Sequence, residues 1–219
     1  MRGLSKNSGF TLIELMVSLA IFAFMTAFLL AKYGTFNQST LVTNLAYDAA
    51  LTIRSAQSYG LNVQNAVNSQ GTNLTCSGQT GYTSGNACFY YAYGVHFGGT
   101  TPTNRFILFV DLNTGQSNSG VYVPNDSPNV EDISTYKMNT GYTIQGICAI
   151  QAGSSACTPL SSLDITFKRP NPDAIIDGTL LSDGTTKITN APYAKITFVA
   201  NNTTSSVVVQ STGEISVGN

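Results

Sequence analysis

The sequence predicts an α+β fold, in which a long N-terminal hydrophobic α-helix packs on a mostly antiparallel β-sheet head. The first observation is an apolar run of 22 residues from Phe10 to Ala31, in which Glu14 is the only charged residue. The second is a stripe of apolar residues at helical spacing between Leu41 and Ala56. From Phe89 onward the apolar period changes to two, which indicates β-strands.

The apolar run is long enough to cross a membrane. At about 1.5 Å per residue, a helix of this length reaches about 33 Å, against a hydrocarbon core of about 30 Å. No A-x-A-like cleavage site follows the run, so an ordinary secretory signal peptide fits poorly. Arg2 and Lys6 make the leader basic, which predicts a cytoplasmic leader and places everything after Ala31 outside the cytoplasm.

Four parts are therefore expected along the chain: a leader at 1–9, a membrane-spanning helix at 10–31, an amphipathic continuation of the helix at 32–64, and a β-rich head at 65–219. One covered face is typical of a helix that packs on a core. The residues of this face are Leu41, Val42, Leu45, Ala46, Ala49, Ile53 and Ala56.

Six segments of the head have the alternation and the β-branched or aromatic content of strands. They are Phe89–Phe97, Arg105–Leu112, Tyr142–Ile150, Ser162–Lys168, Ala194–Ala200 and Ser206–Gln210. Polar, Gly-rich or Pro-containing segments separate them, and these are expected to be loops. They include Thr114–Gly120, Pro124–Pro128, Pro170–Gly184 and Asn201–Ser205.

The charge of the chain excludes some functions. The formal net charge is −1 and charged residues make up 10% of the sequence, against about 25% in typical soluble proteins. Nucleic-acid binding is not expected, because counterion release requires clustered Lys and Arg. Disorder driven by charge is not expected either, since 42% of the residues are hydrophobic.

The four cysteines form two local pairs, Cys76 with Cys88 and Cys148 with Cys157. In an exported chain such pairs predict two disulfides that each close a short loop, although four cysteines allow three connectivities. Zinc is the alternative. Neither pair has C-x-x-C spacing, however, and the single histidine, His96, lies in an apolar stretch.

Glu14 is unexpected in the apolar run, because placing a carboxylate inside a membrane span costs free energy. Either it lies near enough to the membrane surface to stay hydrated, or it has a buried partner. A cut between Gly9 and Phe10 would make it the fifth residue of the mature chain. The new α-amino group of Phe10 would then be a cation able to neutralise the Glu14 of a neighbouring subunit.

The segment GFTLIELMVSLAI resembles the class III signal of type IV pilins and type II secretion pseudopilins. The resemblance implies that a prepilin peptidase cuts after Gly9 and methylates Phe10, and that Glu14 guides assembly. It implies a pilin-like fold and an inner-membrane precursor with its head in the periplasm or outside the cell. The implied partners are other pilin or pseudopilin subunits and an inner-membrane assembly platform, and the helix would form the core of a filament.

The segments YGVHF, RFILFVDLNTG and VVVQSTGEISV resemble the head of H-type minor pseudopilins and FimT-like minor pilins, which implies a minor subunit. Many major pilins carry a Pro at the position of Ala31, and its absence here predicts a straighter helix. A DNA-uptake pilin or an adhesin is the alternative. FimT-like DNA binding uses a basic C-terminal patch, and Ile196–Asn219 contains no Lys or Arg.

The remaining polar residues suggest no enzyme, and no cofactor is expected except possible calcium. Asp111 and Asn113 match the first ligands of a calcium loop, but Asp and Asn before Gly are also ordinary turn formers. His96 has no nucleophile nearby in sequence and is expected to be a packed or surface residue. A solvated loop would account for Asp173, Asp177 and Asp183, and at least one of Tyr90, Tyr91 and Tyr93 is expected in the core.

Overall fold

One long helix precedes the strands. A computed structural model of the chain describes residues 9–62, 67, 91–98, 103–112, 120–123, 131–151 and 153–218, without the side chains of 33–38. Helix α1 runs from Leu12 to Leu61. The chain divides into two compact units, Met1–Thr40 and Leu41–Asn219. The first unit contains the apolar half of α1. The second contains its amphipathic half and all the strands.

The described residues of the head form ten strands. They are β1 Ala92–Gly98, β2 Arg105–Asp111, β3 Asp132–Lys137, β4 Tyr142–Ile150, β5 Cys157–Phe167, β6 Ala174–Leu180, β7 Lys187–Ile188, β8 Tyr193–Ala200, β9 Thr203–Gln210 and β10 Ile215–Gly218.

The strands form one antiparallel sheet in the order β10-β9-β8-β4-β5-β1-β2-β3. The long strand β5 joins its two halves, because Cys157–Pro159 pairs with β4 and Ser162–Phe167 pairs with β1. On its other edge β5 pairs with β6, and β6 pairs with β7. The predicted α+β fold, with an N-terminal apolar helix and a largely antiparallel sheet, is confirmed.

The core of the second unit lies between the amphipathic half of α1 and the sheet. Its largest fully buried side chains include four phenylalanines of the sheet and Ile53 of the helix. The residues of the predicted helical stripe are buried with one exception: Leu41 is 41% exposed. Burial thus begins at Val42, and Leu41 faces away from the core.

Polar contacts attach the amphipathic half of α1 to the sheet at several levels. Near the end of the helix, the side-chain amide of Gln57 donates to the carbonyl oxygens of Pro172 at 3.0 Å and Gly213 at 3.2 Å. One turn earlier, the Arg54 guanidinium donates to the carbonyl oxygen of Ile215 at 3.3 Å. These contacts hold the helix against the loop before β6, the turn between β9 and β10, and the start of β10, all more than 100 residues away in the sequence.

Two strand predictions need correction. The segment Pro170–Gly184, expected to be a loop, contains β6, and Asp177 within it is buried rather than solvated. Strand β3 was not predicted, because its sequence DISTYK has no apolar alternation and is largely exposed. In addition, the separator Asn201–Ser205 is shorter than expected: β9 begins at Thr203, and a tight turn with Asn201 at φ 52° precedes it.

Candidate processing and assembly site

Thr11 and Glu14 form a capping box at the start of α1. The backbone N–H of Thr11 donates to Oε2 of Glu14 at 2.9 Å, and the Thr11 hydroxyl donates to the same oxygen at 2.8 Å. In return, the backbone N–H of Glu14 donates to Oγ1 of Thr11 at 3.4 Å. These bonds satisfy donors that the first turn of a helix leaves without intrahelical partners. They explain why α1 begins at Leu12, directly after Thr11.

The two bonds from Thr11 occupy only one oxygen of the Glu14 carboxylate. Among the described residues, Oε1 of Glu14 accepts no hydrogen bond, and the residue is exposed in the single chain. An ionised carboxylate has about four lone-pair positions. Within the described part of the chain, the capping box therefore orients Glu14 and leaves its Oε1 without a hydrogen bond.

The segment that follows is apolar and exposed. Leu12–Lys32, 21 residues, is long and apolar enough to cross a membrane by length and composition. Gly9 and Phe10 precede the helix in non-helical conformation, and Phe10 is 82% exposed. Exposed apolar surface of this extent marks contact with lipid or with another protein.

Residues 4–30 match the family model of the prokaryotic N-terminal methylation motif. The chain carries the signature of type IV prepilin-like proteins. The match contains the capping box and most of the apolar segment of this prepilin-like chain. No curated protein matches the chain significantly, and no solved structure does.

The motif implies processing by prepilin peptidase and assembly with other pilins, and the apolar helix fits membrane anchoring before assembly. The family is structural rather than enzymatic. Sequence reasoning singled out Gly9, Phe10 and Glu14, whose roles stay predictions, and missed the hydrogen bonds of Thr11. The signal was present, because Thr-x-x-Glu ahead of an apolar run is the sequence pattern of a capping box.

The prepilin-like chain has a disulfide between Cys148 and Cys157, whose Cα atoms are 5.5 Å apart. It connects β4 to β5 next to the turn between them. Cys76 and Cys88 lie outside the described residues, so their predicted bond stays a prediction.

Asp111 has a structural role at the end of β2. Its side chain is buried, and its Oδ2 accepts the backbone N–H of Gly120 at 2.8 Å, which closes the loop after β2. Asn113 lies outside the described residues. Within the described part of the chain, no group of three or more His, Cys, Asp or Glu could hold a metal ion. Calcium binding at Asp111 and Asn113 stays a prediction.

His96 and Asp164 are brought together from positions 68 residues apart. Nδ1 of His96 lies 2.7 Å from Oδ1 of Asp164, and the Tyr122 ring packs on the imidazole with centroids 4.7 Å apart. The sequence alone does not indicate Asp164, because its environment depends on the pairing of β1 with β5.

Tyr91 and Tyr93 are buried in the core, where at least one tyrosine of this cluster was expected, and burial raises the pKa of Tyr93 to about 12. Tyr90 lies outside the described residues.

Proposed function

We propose that this chain is a structural subunit, and a minor one, of a type IV pilus or a type II secretion pseudopilus. The methylation motif at residues 4–30 carries the proposal. A precursor with this motif is anchored by its apolar helix and later inserted into a filament. The resemblance of the head to H-type and FimT-like minor subunits, and Ala31 in place of Pro, support the minor role.

In this proposal, prepilin peptidase cuts between Gly9 and Phe10 and methylates the new terminus. The exposed, non-helical backbone at these two residues supports the assignment, because a peptidase needs an accessible, extended peptide. Among the described residues, no atom outside its chain neighbours lies within 4 Å of where a Cβ of Gly9 would lie.

The free amine of Phe10 would then pair with Glu14 of a neighbouring subunit. The available Oε1 of Glu14 supports this pairing, since the amine can approach it without displacing Thr11. Both groups are costly to bury alone in an apolar filament core, and pairing them reduces this cost. The charge pair would thereby select one register between helices whose other contacts are apolar.

The head would lie outside the cytoplasm. The basic leader residues Arg2 and Lys6 support this orientation through the positive-inside rule. The disulfide between Cys148 and Cys157 supports it independently, because disulfides persist in oxidising compartments.

Two measurements test the proposal in cells that assemble the filament. Mass spectrometry of the processed protein is expected to find a methylated Phe10 at the N-terminus; a mature chain that still begins at Met1 would refute it. Glu14→Ala is expected to abolish incorporation into sheared filaments. Glu214→Ala, which removes an exposed acid of the head, is the matched control and should incorporate normally.

The minor role has its own test. Quantitative mass spectrometry of purified filaments should find far fewer copies of this chain than of a sibling pilin. If this chain were the most abundant subunit, the minor role would be wrong, whereas the filament assignment would stand.

A further inference from the structure

A pair of buried acids lies directly across the boundary between β5 and β6. Asp164 and Asp177 are register partners, and they are 3% and 8% exposed. Like charges opposite each other on neighbouring strands are destabilising, and a buried carboxylate needs a partner charge or hydrogen bonds. Two ionised carboxylates at these positions would therefore need a positive charge or a proton.

The surroundings differ between the two acids. Asp164 has a basic partner, because His96, its register partner on β1, lies 2.7 Å from Oδ1. Asp177 has a neutral donor, the backbone N–H of Asn190, which donates to Oδ1 at 2.8 Å. Lys187 on β7 is the nearby cation for Asp177, but its side chain is exposed to water. Of the two acids, Asp177 is therefore the less well compensated.

The side chains of Asp177 and Thr166 both approach the Cα atom of Gly120. A Cβ added there would lie 3.3 Å from Oδ2 of Asp177 and 3.6 Å from Oγ1 of Thr166. Thr166 is fully buried, and its Oγ1 has no hydrogen-bond partner among the described residues. The N–H of Gly120 is already used by Asp111 of β2. Oδ2 of Asp177 and Oγ1 of Thr166 thus receive no hydrogen bond from a described residue.

We propose that Asp177 is a proton-binding site of the folded head, so that the Asp164–Asp177 pair carries one negative charge, with His96 beside it. A proton on Asp177 removes the charge repulsion from the ionised Asp164 that faces it across the two strands. The inference concerns the head alone and does not depend on filament assembly.

The electrostatics of the site agree with this geometry. Burial raises the pKa of Asp177 above its ordinary value; the Asn190 hydrogen bond opposes the rise, Asp164 adds to it and Lys187 reduces it. The pKa of Asp177 is higher in the folded head than in the unfolded chain, so the proton on Asp177 stabilises the fold. This stabilisation is fully present below the unfolded pKa of an aspartate. It is lost as the pH rises through the folded pKa of Asp177.

Loss of the proton places a second negative charge between β5 and β6. The strands should then separate more often, together with the segment at Asn190 and Ala191, which Asp177 and the carbonyl oxygen of Ile176 hold against β6. The head would thus be looser on this face in alkaline medium than in mildly acidic medium.

Hydrogen exchange of the full chain in detergent micelles, followed by mass spectrometry from pH 5 to pH 8 and corrected for intrinsic rates, tests the proposal. In the wild type, protection of β6 peptides should fall as the pH rises between the unfolded and the folded pKa of Asp177, by up to about tenfold for each pH unit, and should level off above the folded pKa. Asp177→Asn should keep the high protection at every pH. Asp173→Asn, which removes an exposed acid directly before β6, should keep the wild-type pH response.

A second measurement detects the proton directly. The infrared spectrum of the wild-type chain at pH 6 should contain a protonated carboxylic acid band that is weaker in Asp177→Asn. Absence of this band would overturn the proposal, as would an unchanged pH response in Asp177→Asn. A protection change produced by added Ca²⁺ or by a chelator, and not by pH, would mean that the pair binds a metal cation and would also overturn it.

Discussion

Gly60 of α1 lies against the backbone of Phe167 at the end of β5. A Cβ on Gly60 would lie 2.5 Å from the carbonyl oxygen of Phe167 and 2.9 Å from its carbonyl carbon. Since the obstacle is backbone, it cannot be relieved by rotation of a side chain. The glycine thus allows the last turn of the helix to approach the sheet closely, and Gln57 makes its hydrogen bonds one turn before it.

Gly60→Ala is expected to destabilise the head. The alanine gains up to about 1 kcal/mol of helix propensity, but overpacking against rigid atoms costs about 1–3 kcal/mol. Urea unfolding of the full chain in detergent, followed by tyrosine fluorescence, measures the difference. Gly146→Ala is the control, because no atom of the described residues outside its chain neighbours lies within 4 Å of its added Cβ. Equal midpoints for the two variants would contradict the close approach.

Tyr136→Phe is expected to loosen the edge of the sheet from the helix. The Tyr136 hydroxyl donates to Oδ2 of Asp48 at 2.9 Å, and the ring stacks on Phe106 with centroids 4.6 Å apart. The substitution keeps the stacking and removes the hydrogen bond, so a loss of about 1 kcal/mol is expected in the same urea assay. Tyr142→Phe is the matched control, because no hydrogen bond from its hydroxyl is found among the described residues. A loss as large in Tyr142→Phe would refute the role of Asp48.

Local sequence patterns predicted those strands that have one buried and one half-buried face. β8 alternates buried and half-buried residues along its whole length, and its period of two could be read directly. The methylation motif was equally predictable, since its residues are consecutive. In these cases the environment of a residue follows from its near neighbours in the chain.

β6 could not be predicted in the same way. Its Asp177-Gly178 pair has the composition of a turn, yet Gly178 is required because a Cβ there would lie 2.9 Å from the Ser162 carbonyl oxygen. Asp177 is buried only because β5 places Asp164 opposite it and the segment around Asn190 covers it. These are long-range contacts, and no period in the sequence of β6 indicates them.

Thr11→Val is expected to fray the start of α1. The variant keeps the shape of the side chain but removes the hydroxyl that bonds Glu14, and loss of an N-cap costs about 1 kcal/mol. Amide exchange in the first turn of the unprocessed chain should therefore accelerate roughly fivefold in micelles. Thr26→Val is the control, because it removes a hydroxyl that bonds the Phe22 carbonyl inside the helix. Unchanged exchange at residues 12–15 would contradict the capping role.

The turn between β6 and β7 is expected to loosen in acid. The Thr186 hydroxyl and the backbone N–H groups of Thr185 and Thr186 donate to Asp183, and they lower its pKa from 3.8 to about 2. Because the folded pKa is the lower one, the stabilisation is present above pH 3.8 and is lost as the pH falls through about 2. NMR titration of the Asp183 carboxyl carbon measures the pKa directly. An Asp183 midpoint at or above 3.8 would be inconsistent with these hydrogen bonds.

Removing the disulfide between Cys148 and Cys157 is expected to destabilise the head by about 2–3 kcal/mol, because the bond closes a short loop in the unfolded chain. The comparison requires a Cys76→Ser/Cys88→Ser background, in which reductant can act only on this bond. In that background, Cys148→Ser/Cys157→Ser should unfold at a lower urea concentration than the parent, and reductant should not change its midpoint. Reduction of the parent should lower its urea midpoint toward that of the variant. Without reductant, the tryptic peptide that holds both cysteines should be lighter by the two thiol hydrogens. Free thiols at both positions in the untreated parent would show that the bond does not form.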